Sequence, residues 1–280
     1  MPPMTEPYRI GVDIGGTFTD LVMIDMRDGR LFNEKVLTTP ADPSIGVLTG
    51  VEQLLRATGV KANDVHHVIH GTTLVANALI ERKGVPTALI STKGFRDVVE
   101  IGLEWRYDLY DLTMELPQPL VPRRWRFELE ERLGPDGGVI EAIKPAQAAA
   151  MVREVARSGA QAVAVSLLHG FRNAHHERQI GDVLAREAPG LITCLSSDVV
   201  PEIGEYERTS TTICNAYVLP IFSRYLRRLA EGLRGLGIDK DLYLMLSDGG
   251  TVHESTAARH PIRLVPVSYT HLRAHETRHD

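Results

Sequence analysis

The sequence is poor in cysteine and has no surplus of basic residues. Cys194 and Cys214 are the only cysteines among 280 residues, and neither lies in a CxxC pair or in a Cys/His ligand spacing. This scarcity argues against a disulfide scaffold and against a structural zinc site. The 31 Lys and Arg residues against 36 Asp and Glu residues give a net charge of −5. A general nucleic-acid partner is therefore not expected, because such binding requires a basic surplus.

Signals for secretion or membrane insertion are also missing. The N-terminal sequence MPPMTEPYRI contains no apolar segment, and no run of about 18 apolar residues follows it. We therefore expect a cytoplasmic protein without a membrane partner. The hydrophobic content of 43% and the charged content of 24% are ordinary for a globular protein, and the length predicts roughly two domains.

The order of elements predicts an α/β fold. Short apolar runs separated by Gly15-Gly16 and Asp28-Gly29 predict an antiparallel meander of three strands. The predicted elements of the first third are strands over 8–14, 18–25 and 31–37, a helix from Pro43, a strand over 65–70, a helix over 72–82 and a strand over 87–91. A meander followed by helix–strand crossovers predicts one mixed sheet covered by helices.

The pattern is less regular over residues 100–140, where aromatic residues alternate with prolines. We interpret this stretch as an insertion or a lid, because its aromatic side chains need burial. The α/β alternation resumes at Lys144, and a long helix over about 207–236 precedes a strand over 242–246. The last stretch, 267–280, follows no preceding pattern, so we interpret it as a foreign or disordered tail.

The strongest chemical motif is DIGGTFTD, which lies on the predicted turn between the first two strands. Gly15 and Gly16 allow a ligand to approach the backbone closely, and successive N–H groups in such a turn attract an anion. Thr17 and Thr19 add hydroxyl donors, and Asp13 is suited to hold Mg²⁺ through water. The motif predicts a phosphate-binding hairpin, with a plain Gly-Gly hairpin turn as the alternative.

Further motifs lie at the ends of later strands and at the start of the long helix. His70, Thr72 and Thr73 lie at a strand–helix junction, where N–H groups favour an anion; helix capping alone and a core histidine are the alternatives. Gly249 and Gly250 follow the last strand, a position at which α/β proteins bind ligands. The run EYERTSTT offers several capping residues, and a solvated, charged helix start is the preferred interpretation.

Six spaced blocks together resemble the hydantoinase/oxoprolinase family, and in particular its N-methylhydantoinase A-type subunits. The blocks are DIGGTFTD, HGTTLVANALIERKG, TKGFRDVVEIG, PLVPRRWRFELEERLG, EYERTSTTICNAYVLP and SDGGT. The resemblance implies an actin-like ATPase fold of ribonuclease-H-like halves, with mixed sheets and helices on both faces. It also implies ATP and Mg²⁺ as cofactors, and ATP-dependent opening of a cyclic amide such as a hydantoin or 5-oxoproline.

The resemblance assigns expected roles to the residues that match the family's motifs. Asp13, Gly15, Gly16, Thr17 and Thr19 would form the first phosphate loop, with Asp13 on Mg²⁺. The remaining candidates are Asp20, which completes this motif, His70, Thr72 and Thr73 as active-site residues, and Gly249 and Gly250 as nucleotide-binding residues. The expected partners are a small cyclic amide and a B-type hydantoinase subunit.

The resemblance also implies a domain division and a truncation. Residues 1–190 would form the N-terminal ribonuclease-H-like domain, and 191–266 the start of an incomplete second domain. The family's second phosphate loop is expected after HPIRLV but does not appear there, so we expect this chain to bind ATP weakly or not at all. Three alternatives stay open: an acetone-carboxylase-like β subunit, a small-molecule kinase of the same superfold, and a subunit that only supports a partner.

Overall fold

The structure is a computed structural model that describes residues 7–104, 110–111, 113, 117–247 and 249–265. Its strands are β1 (Tyr8–Ile14), β2 (Phe18–Asp25), β3 (Leu31–Leu37), β4 (Val65–Thr72), β5 (Thr87–Thr92), β6 (Arg126–Leu129), β7 (Arg132–Leu133), β8 (Val139–Glu141), β9 (Ala162–Ser166), β10 (Ile192–Leu195), β11 (Leu242–Met245) and β12 (Thr251–His253). Its α-helices are α1 (Pro43–Thr58), α2 (Leu74–Ile80), α3 (Val98–Ile101), α4 (Pro145–Arg157), α5 (His175–Glu187), α6 (Ser196–Val199), α7 (Glu205–Gly235) and α8 (Glu254–Ala257). Short 3-10 turns occur at Ala62–Asp64, Arg123–Trp125 and Pro261–Leu264.

The chain forms two compact units, each with its own sheet. Unit 1 combines the described parts of 1–81 and 221–280, and unit 2 comprises those of 82–220. These units group residues by packing, so the predicted domain boundary near residue 190 stays a prediction. In the described part of the chain, no helix combines the length and apolar character that crossing a membrane requires.

The sheet of unit 1 has six strands in the order β12-β11-β4-β1-β2-β3. The antiparallel pairs β1–β2 and β2–β3 confirm the predicted meander, while β4 runs parallel to both β1 and β11. Helix α1 begins after Asp42, whose carboxylate accepts a hydrogen bond from the Ser44 amide, and ends at left-handed Gly59. Its buried residues Val47 and Val51 cover one face of the meander.

The prediction that the strand over 87–91 continues this first sheet is wrong. Residues Thr87–Thr92 do form a strand, but β5 pairs with β6 and β9 in a second sheet. The free edge of β4 is occupied instead by β11, far along the chain. The physical reason is burial: all six residues of β5 are buried, so this strand needs neighbours and cover on every side.

The sheet of unit 2 has four parallel strands in the order β10-β9-β5-β6. Every residue of β9 is buried, and the core includes Val152 of α4 and Ile180 of α5. Strand β6 belongs to the stretch predicted as an insertion, so part of that stretch is integral to the sheet.

The aromatic side chains within 100–140 differ in burial. Trp125 and Phe127 pack against the core of unit 2, as expected. Tyr110 is 91% exposed, which corrects the expectation that these aromatic side chains are buried. Trp105 and Tyr107 lie outside the described residues, as does the predicted tail over 267–280.

Candidate functional site

Three turns of unit 1 lie at one end of its sheet. Strands β1, β4 and β11 are parallel neighbours, and the turn or junction that follows each one contains a predicted motif. The register pairs Ile14 with Thr72, which places the first hairpin turn beside the β4–α2 junction. The carboxyl ends of parallel strands form the usual ligand-binding edge of an α/β sheet.

The first turn, between β1 and β2, presents an open backbone. The Gly15 amide donates to the Phe18 carbonyl over 2.9 Å, which leaves Gly16 and Thr17 at the tip. A Cβ on Gly15 would lie 3.0 Å from the Phe18 oxygen, whereas a Cβ on Gly16 would meet nothing within 4 Å. Gly15 is therefore required by local packing, and Gly16 leaves free space above an exposed backbone.

The predicted hydroxyl donors of this turn differ in position. Thr17 is exposed at the tip, but Thr19 is fully buried, and its hydroxyl lies 3.1 Å from that of Thr38. The Thr38 hydroxyl in turn donates to the Gly15 carbonyl over 2.9 Å. Thr19 therefore supports the turn from inside, which corrects the expectation of a direct phosphate contact. The bracing role of Thr38 was not predicted.

Four residues form a row across the exposed face of the sheet near this turn. Register pairs Gly71 with Asp13, Asp13 with Asp20, and Asp20 with Lys35. Lys35 Nζ lies 2.9 Å from Asp20 Oδ1, whereas Asp13 has no ion-pair partner among the described residues. Two carboxylates directly opposite each other are unfavourable without a compensating cation.

Gly71 leaves room beside the unpaired carboxylate. A Cβ at this position would lie 3.3 Å from Asp13 Oδ1, closer than ordinary van der Waals contact. The Asp13 carboxylate is therefore exposed, unpaired and flanked by open space on the β4 side.

Thr72 and Thr73 are both engaged at the β4–α2 junction. Thr72 Oγ1 accepts a hydrogen bond from the Leu74 amide over 3.1 Å, whereas Thr73, at the N-cap position of α2, makes no side-chain capping hydrogen bond. Thr73 Oγ1 accepts a hydrogen bond from Asn77 Nδ2 over 3.2 Å and lies 3.5 Å from the Ile14 carbonyl. The junction is thus held against the end of β1, next to the first turn.

His70 lies in the core rather than at the exposed face. Its ring is fully buried, and Nε2 lies 2.6 Å from the hydroxyl of Tyr225 on α7. Burial lowers the pKa of His70 to about 4, so the ring is neutral at pH 7. This placement favours the core-histidine alternative, because a buried ring bonded to a buried tyrosine does not reach a substrate. Tyr225 was not predicted as part of this arrangement.

The third turn joins β11 to β12. The Leu246 amide donates to the Gly250 carbonyl over 2.8 Å, and Gly249 has φ +86°, a left-handed conformation that favours glycine. Gly249 and Gly250 are exposed, whereas Asp248 lies outside the described residues. The turn thus has a conformational requirement for glycine as well as a position near the other two turns.

The donor set at this edge fits a magnesium ion carried by a nucleotide. No group of three or more His, Cys, Asp or Glu side chains within the described ranges is arranged to hold a metal ion. Mg²⁺, however, commonly binds through one or two carboxylates, waters and substrate phosphates. Asp13, with Asp20 opposite, would supply that carboxylate edge.

The run EYERTSTT lies in unit 2, where Arg208, Thr209 and Thr212 are buried although Glu207 is exposed. Arg208 is 1% exposed and donates to the Leu167 carbonyl over 3.0 Å, and buried Thr209 bonds Ser166 over 2.8 Å. This finding corrects the interpretation as a solvated helix start, because these side chains satisfy buried polar groups. His176 is also buried, and its Nδ1 lies 2.6 Å from Glu131 Oε2.

The chain is an α/β protein of the actin-like ATPase type. This class follows from the sheet topology, from the edge that the three turns occupy and from the likeness to solved structures. Nucleotide-free acetone carboxylase superposes with a TM-score of 0.84 at 24% identity, over 92% of this chain and 38% of that one. The ATP-dependent caprolactamase of Pseudomonas jessenii superposes with a TM-score of 0.79 at 32% identity, over 92% of this chain and 39% of that one.

The chain belongs to the hydantoinase/oxoprolinase family. The model of the family's N-terminal region matches residues 9–188, and the hydantoinase/oxoprolinase model matches residues 208–266. The caprolactamase subunit alpha of Pseudomonas jessenii is 34% identical over 88% of this chain and 36% of its own length. The 5-oxoprolinase of Saccharomyces cerevisiae is 28% identical over 87% of this chain and 22% of its own length. The chain thus spans less than two fifths of these proteins.

Proposed function

We propose that unit 1 supplies one half of an ATP site in an enzyme that opens a cyclic amide. The unpaired, exposed carboxylate of Asp13 supports this proposal most strongly, because it lies opposite a second aspartate and beside the open Gly16 backbone. Thr17 and the amides of the first turn would contact phosphate oxygens, and Asp13 would hold Mg²⁺ through water. Gly249 and Gly250 would border the same nucleotide.

ATP, when bound, would supply a phosphoryl group to the amide oxygen, so that attack by water opens the ring and releases phosphate. The residues of this chain would position the phosphates and neutralise their charge, which is the main protein contribution in phosphoryl transfer. Asp20, held by Lys35, would keep the carboxylate pair in place. Thr72 and Thr73 would hold the second loop against the first, and His70 would support that loop from the core.

The substrate class and the partner follow from the family. Relatives named caprolactamase and 5-oxoprolinase support a lactam or a related cyclic amide as the substrate. The name caprolactamase subunit alpha supports assembly with a second kind of subunit, for which we propose a B-type hydantoinase subunit. We further propose a cytoplasmic location.

A carboxylase-type role is the second candidate, because acetone carboxylase shares the fold and a relative is named acetone carboxylase beta subunit. Product analysis separates the candidates when it uses a chain extended to the full length of the relatives, together with its partner subunit. A hydrolase yields a ring-opened acid and free phosphate, a carboxylase consumes bicarbonate, and a kinase accumulates a phosphorylated product. A subunit that only supports a partner shows no ATP dependence of its own.

Asp13→Ala tests the nucleotide site directly. In a version extended to the full length of the relatives, we expect this variant to lose at least about tenfold in Mg²⁺-ATP affinity, since it removes the carboxylate edge of the metal site. Its unfolding free energy should change by less than about 0.5 kcal/mol, as for other exposed positions. Calorimetric titration and urea unfolding measure the two quantities.

Asp182→Ala is the matched control, because Asp182 is an exposed aspartate on α5 of unit 2. It should leave nucleotide affinity unchanged. If Asp13→Ala and Asp182→Ala bind Mg²⁺-ATP equally, Asp13 has no part in a nucleotide site and the proposal fails.

A further inference from the structure

A second cleft lies in unit 2, and the proposed function does not use it. Its volume is about 620 Å³, which is within the usual range for small-molecule sites. The lining residues are Arg96, Arg123, Arg124, Arg126, Phe127, Glu128, Ala150, Met151 and Glu154. Four arginines face two glutamates, so the lining is positive. Six of these nine residues come from the blocks TKGFRDVVEIG and PLVPRRWRFELEERLG.

One carboxylate behind the cleft fixes two of the arginines. Asp97 accepts two hydrogen bonds from Arg123, from Nε over 3.0 Å and from Nη2 over 2.9 Å. It also accepts one from Arg126 Nη1 over 3.3 Å. The hydrogen bonds from Arg123 hold the pKa of Asp97 below its ordinary value, so the Asp97 carboxylate is charged at neutral pH. The guanidinium groups are therefore preorganised before any ligand arrives.

Several guanidinium donors of the lining arginines make no short hydrogen bond within the described residues. The fork between Arg123 and Asp97 leaves Nη1 of Arg123 without a hydrogen bond in the described structure. Within the described ranges, Arg96 makes only long ion pairs, 3.8 Å to Asp97 and 3.7 Å to Glu128. Arg124 has no carboxylate partner among the described residues; its guanidinium lies over the Trp125 ring, 5.2 Å from the centroid.

The cleft also has an apolar side. Phe127 of β6 and Met151 of α4 line it, and both pack against the hydrophobic core of unit 2 behind them. Glu128 adds little free negative charge, because its Oε1 accepts the Gly94 amide over 2.7 Å and its Oε2 faces Arg96. The cleft therefore combines guanidinium donors that make no short hydrogen bond in the described structure with an apolar surface that packs on the core.

We propose that this cleft is a second small-molecule site, which takes a carboxylate attached to an apolar body. The carboxylate would bind the remaining N–H donors of Arg96, Arg123 and Arg124, since guanidinium groups match the planar carboxylate geometry. The apolar body would contact Phe127 and Met151. This site does not depend on the nucleotide site of unit 1, so it stands even if the proposed function fails.

The test uses the full chain with Trp105→Phe, which leaves Trp125 as its single tryptophan. Hexanoate is the probe, and its titration is followed by Trp125 fluorescence and by calorimetry. We expect saturable binding with a change in Trp125 emission, because Arg124 contacts that ring. Acetate should bind more weakly than hexanoate, since it lacks the apolar body, and hexylammonium should not bind.

Arg124→Ala should weaken hexanoate binding about tenfold, as expected for loss of a charge-assisted hydrogen bond. Arg124 has no ion pair within the part of the chain that the structure describes, so its replacement threatens folding least. Arg157→Ala removes the same charge from an exposed position at the end of α4 and should leave binding unchanged. Because charge loss alone would affect both variants, the comparison isolates the cleft.

Three results would overturn the proposal. A hexanoate titration whose signal does not saturate would show that no site exists. Equal affinity for hexanoate, acetate and inorganic phosphate shows a general anion surface without an apolar subsite. Equal weakening by Arg124→Ala and Arg157→Ala shows an effect of net charge rather than of the cleft.

Discussion

At the scale of single residues, two adjacent glycines in the first turn have different physical requirements. A Cβ on Gly15 would crowd a backbone oxygen, whereas a Cβ on Gly16 would point into open space. Nothing in the free chain therefore demands glycine at position 16. The proposed phosphate loop would demand it, because a methyl group would occupy the path of the approaching phosphate.

Gly16→Ala is expected to separate binding from folding. The free energy of unfolding of the variant should lie within about 0.5 kcal/mol of that of the parent, because the methyl group meets no neighbour. Its Mg²⁺-ATP affinity should fall at least about tenfold. Urea unfolding and nucleotide titration measure both effects, and an unchanged affinity would mean that no phosphate approaches this turn.

His70 makes the stability of unit 1 sensitive to pH. Its pKa is about 4 when folded, against 6.5 for an ordinary histidine, so the unfolded chain binds the proton more tightly. Stability is therefore complete above pH 6.5 and decreases as the pH falls towards 4. Between pH 7.5 and pH 5 the loss is about 2 kcal/mol. Urea unfolding at the two pH values measures it.

The control variants for this pH dependence are His70→Gln and His175→Gln. The first should reduce the pH dependence between pH 7.5 and 5, and the second should keep it, because His175 is exposed. His67, whose pKa burial also lowers, contributes in the same direction and leaves a residual slope. The lowered pKa values of Asp42 and Asp97 act at lower pH. An identical slope in both variants would contradict the assignment to His70.

Local spacing in the sequence predicts the hairpin turn at Gly15 and Gly16 but not the contacts that distant residues make. The roles of Asp13 and Gly16 in binding a ligand stay predictions. The burial of His70 depends on Tyr225, which lies 155 positions away in the sequence. No local pattern shows that pairing, so the sequence left the core and active-site alternatives open.

At the scale of elements, small residues set how closely α1 approaches the sheet. Gly50 faces β2, and a Cβ there would lie 2.3 Å from Leu21 Cδ1. Gly50→Ala should therefore destabilise the protein by about 1–3 kcal/mol through overpacking, although alanine favours helices. Gly235→Ala, in α7 with nothing within 4 Å, should be neutral or slightly stabilising. Thermal and urea unfolding compare the two, and equal stability would show that α1 adjusts freely.

Strand positions in the first third were predictable, but strand register and sheet membership were not. A two-residue turn at Asp28 and Gly29 would place Asp20 opposite Leu37. The turn is longer, because the Asp25 amide donates to the Arg30 carbonyl, and Asp20 therefore faces Lys35. Likewise, the apolar run of β5 indicates a buried strand without indicating which sheet buries it.

At the scale of the whole molecule, the two units differ in how their chains are arranged. Unit 2 is continuous in sequence, whereas the sheet of unit 1 needs β11 beside β4. Residues 82–220 expressed alone should unfold cooperatively in urea, because their four strands and the helices over them are all present. Residues 1–81 alone should not, since β4 then lacks its second neighbour. Circular dichroism during urea titration tests both fragments, and cooperative unfolding of 1–81 would show that β11 is dispensable.

The pairing of β4 with β11 also imposes an order on synthesis at the ribosome. Strand β11 emerges about 170 residues after β4, which corresponds to about 10–30 s at ordinary translation rates. During this interval unit 2 can fold, while the nascent β4 presents an unpaired strand edge of the kind that recruits other chains. Yield of soluble protein should therefore depend on how well chaperones cover that edge until translation reaches residue 245.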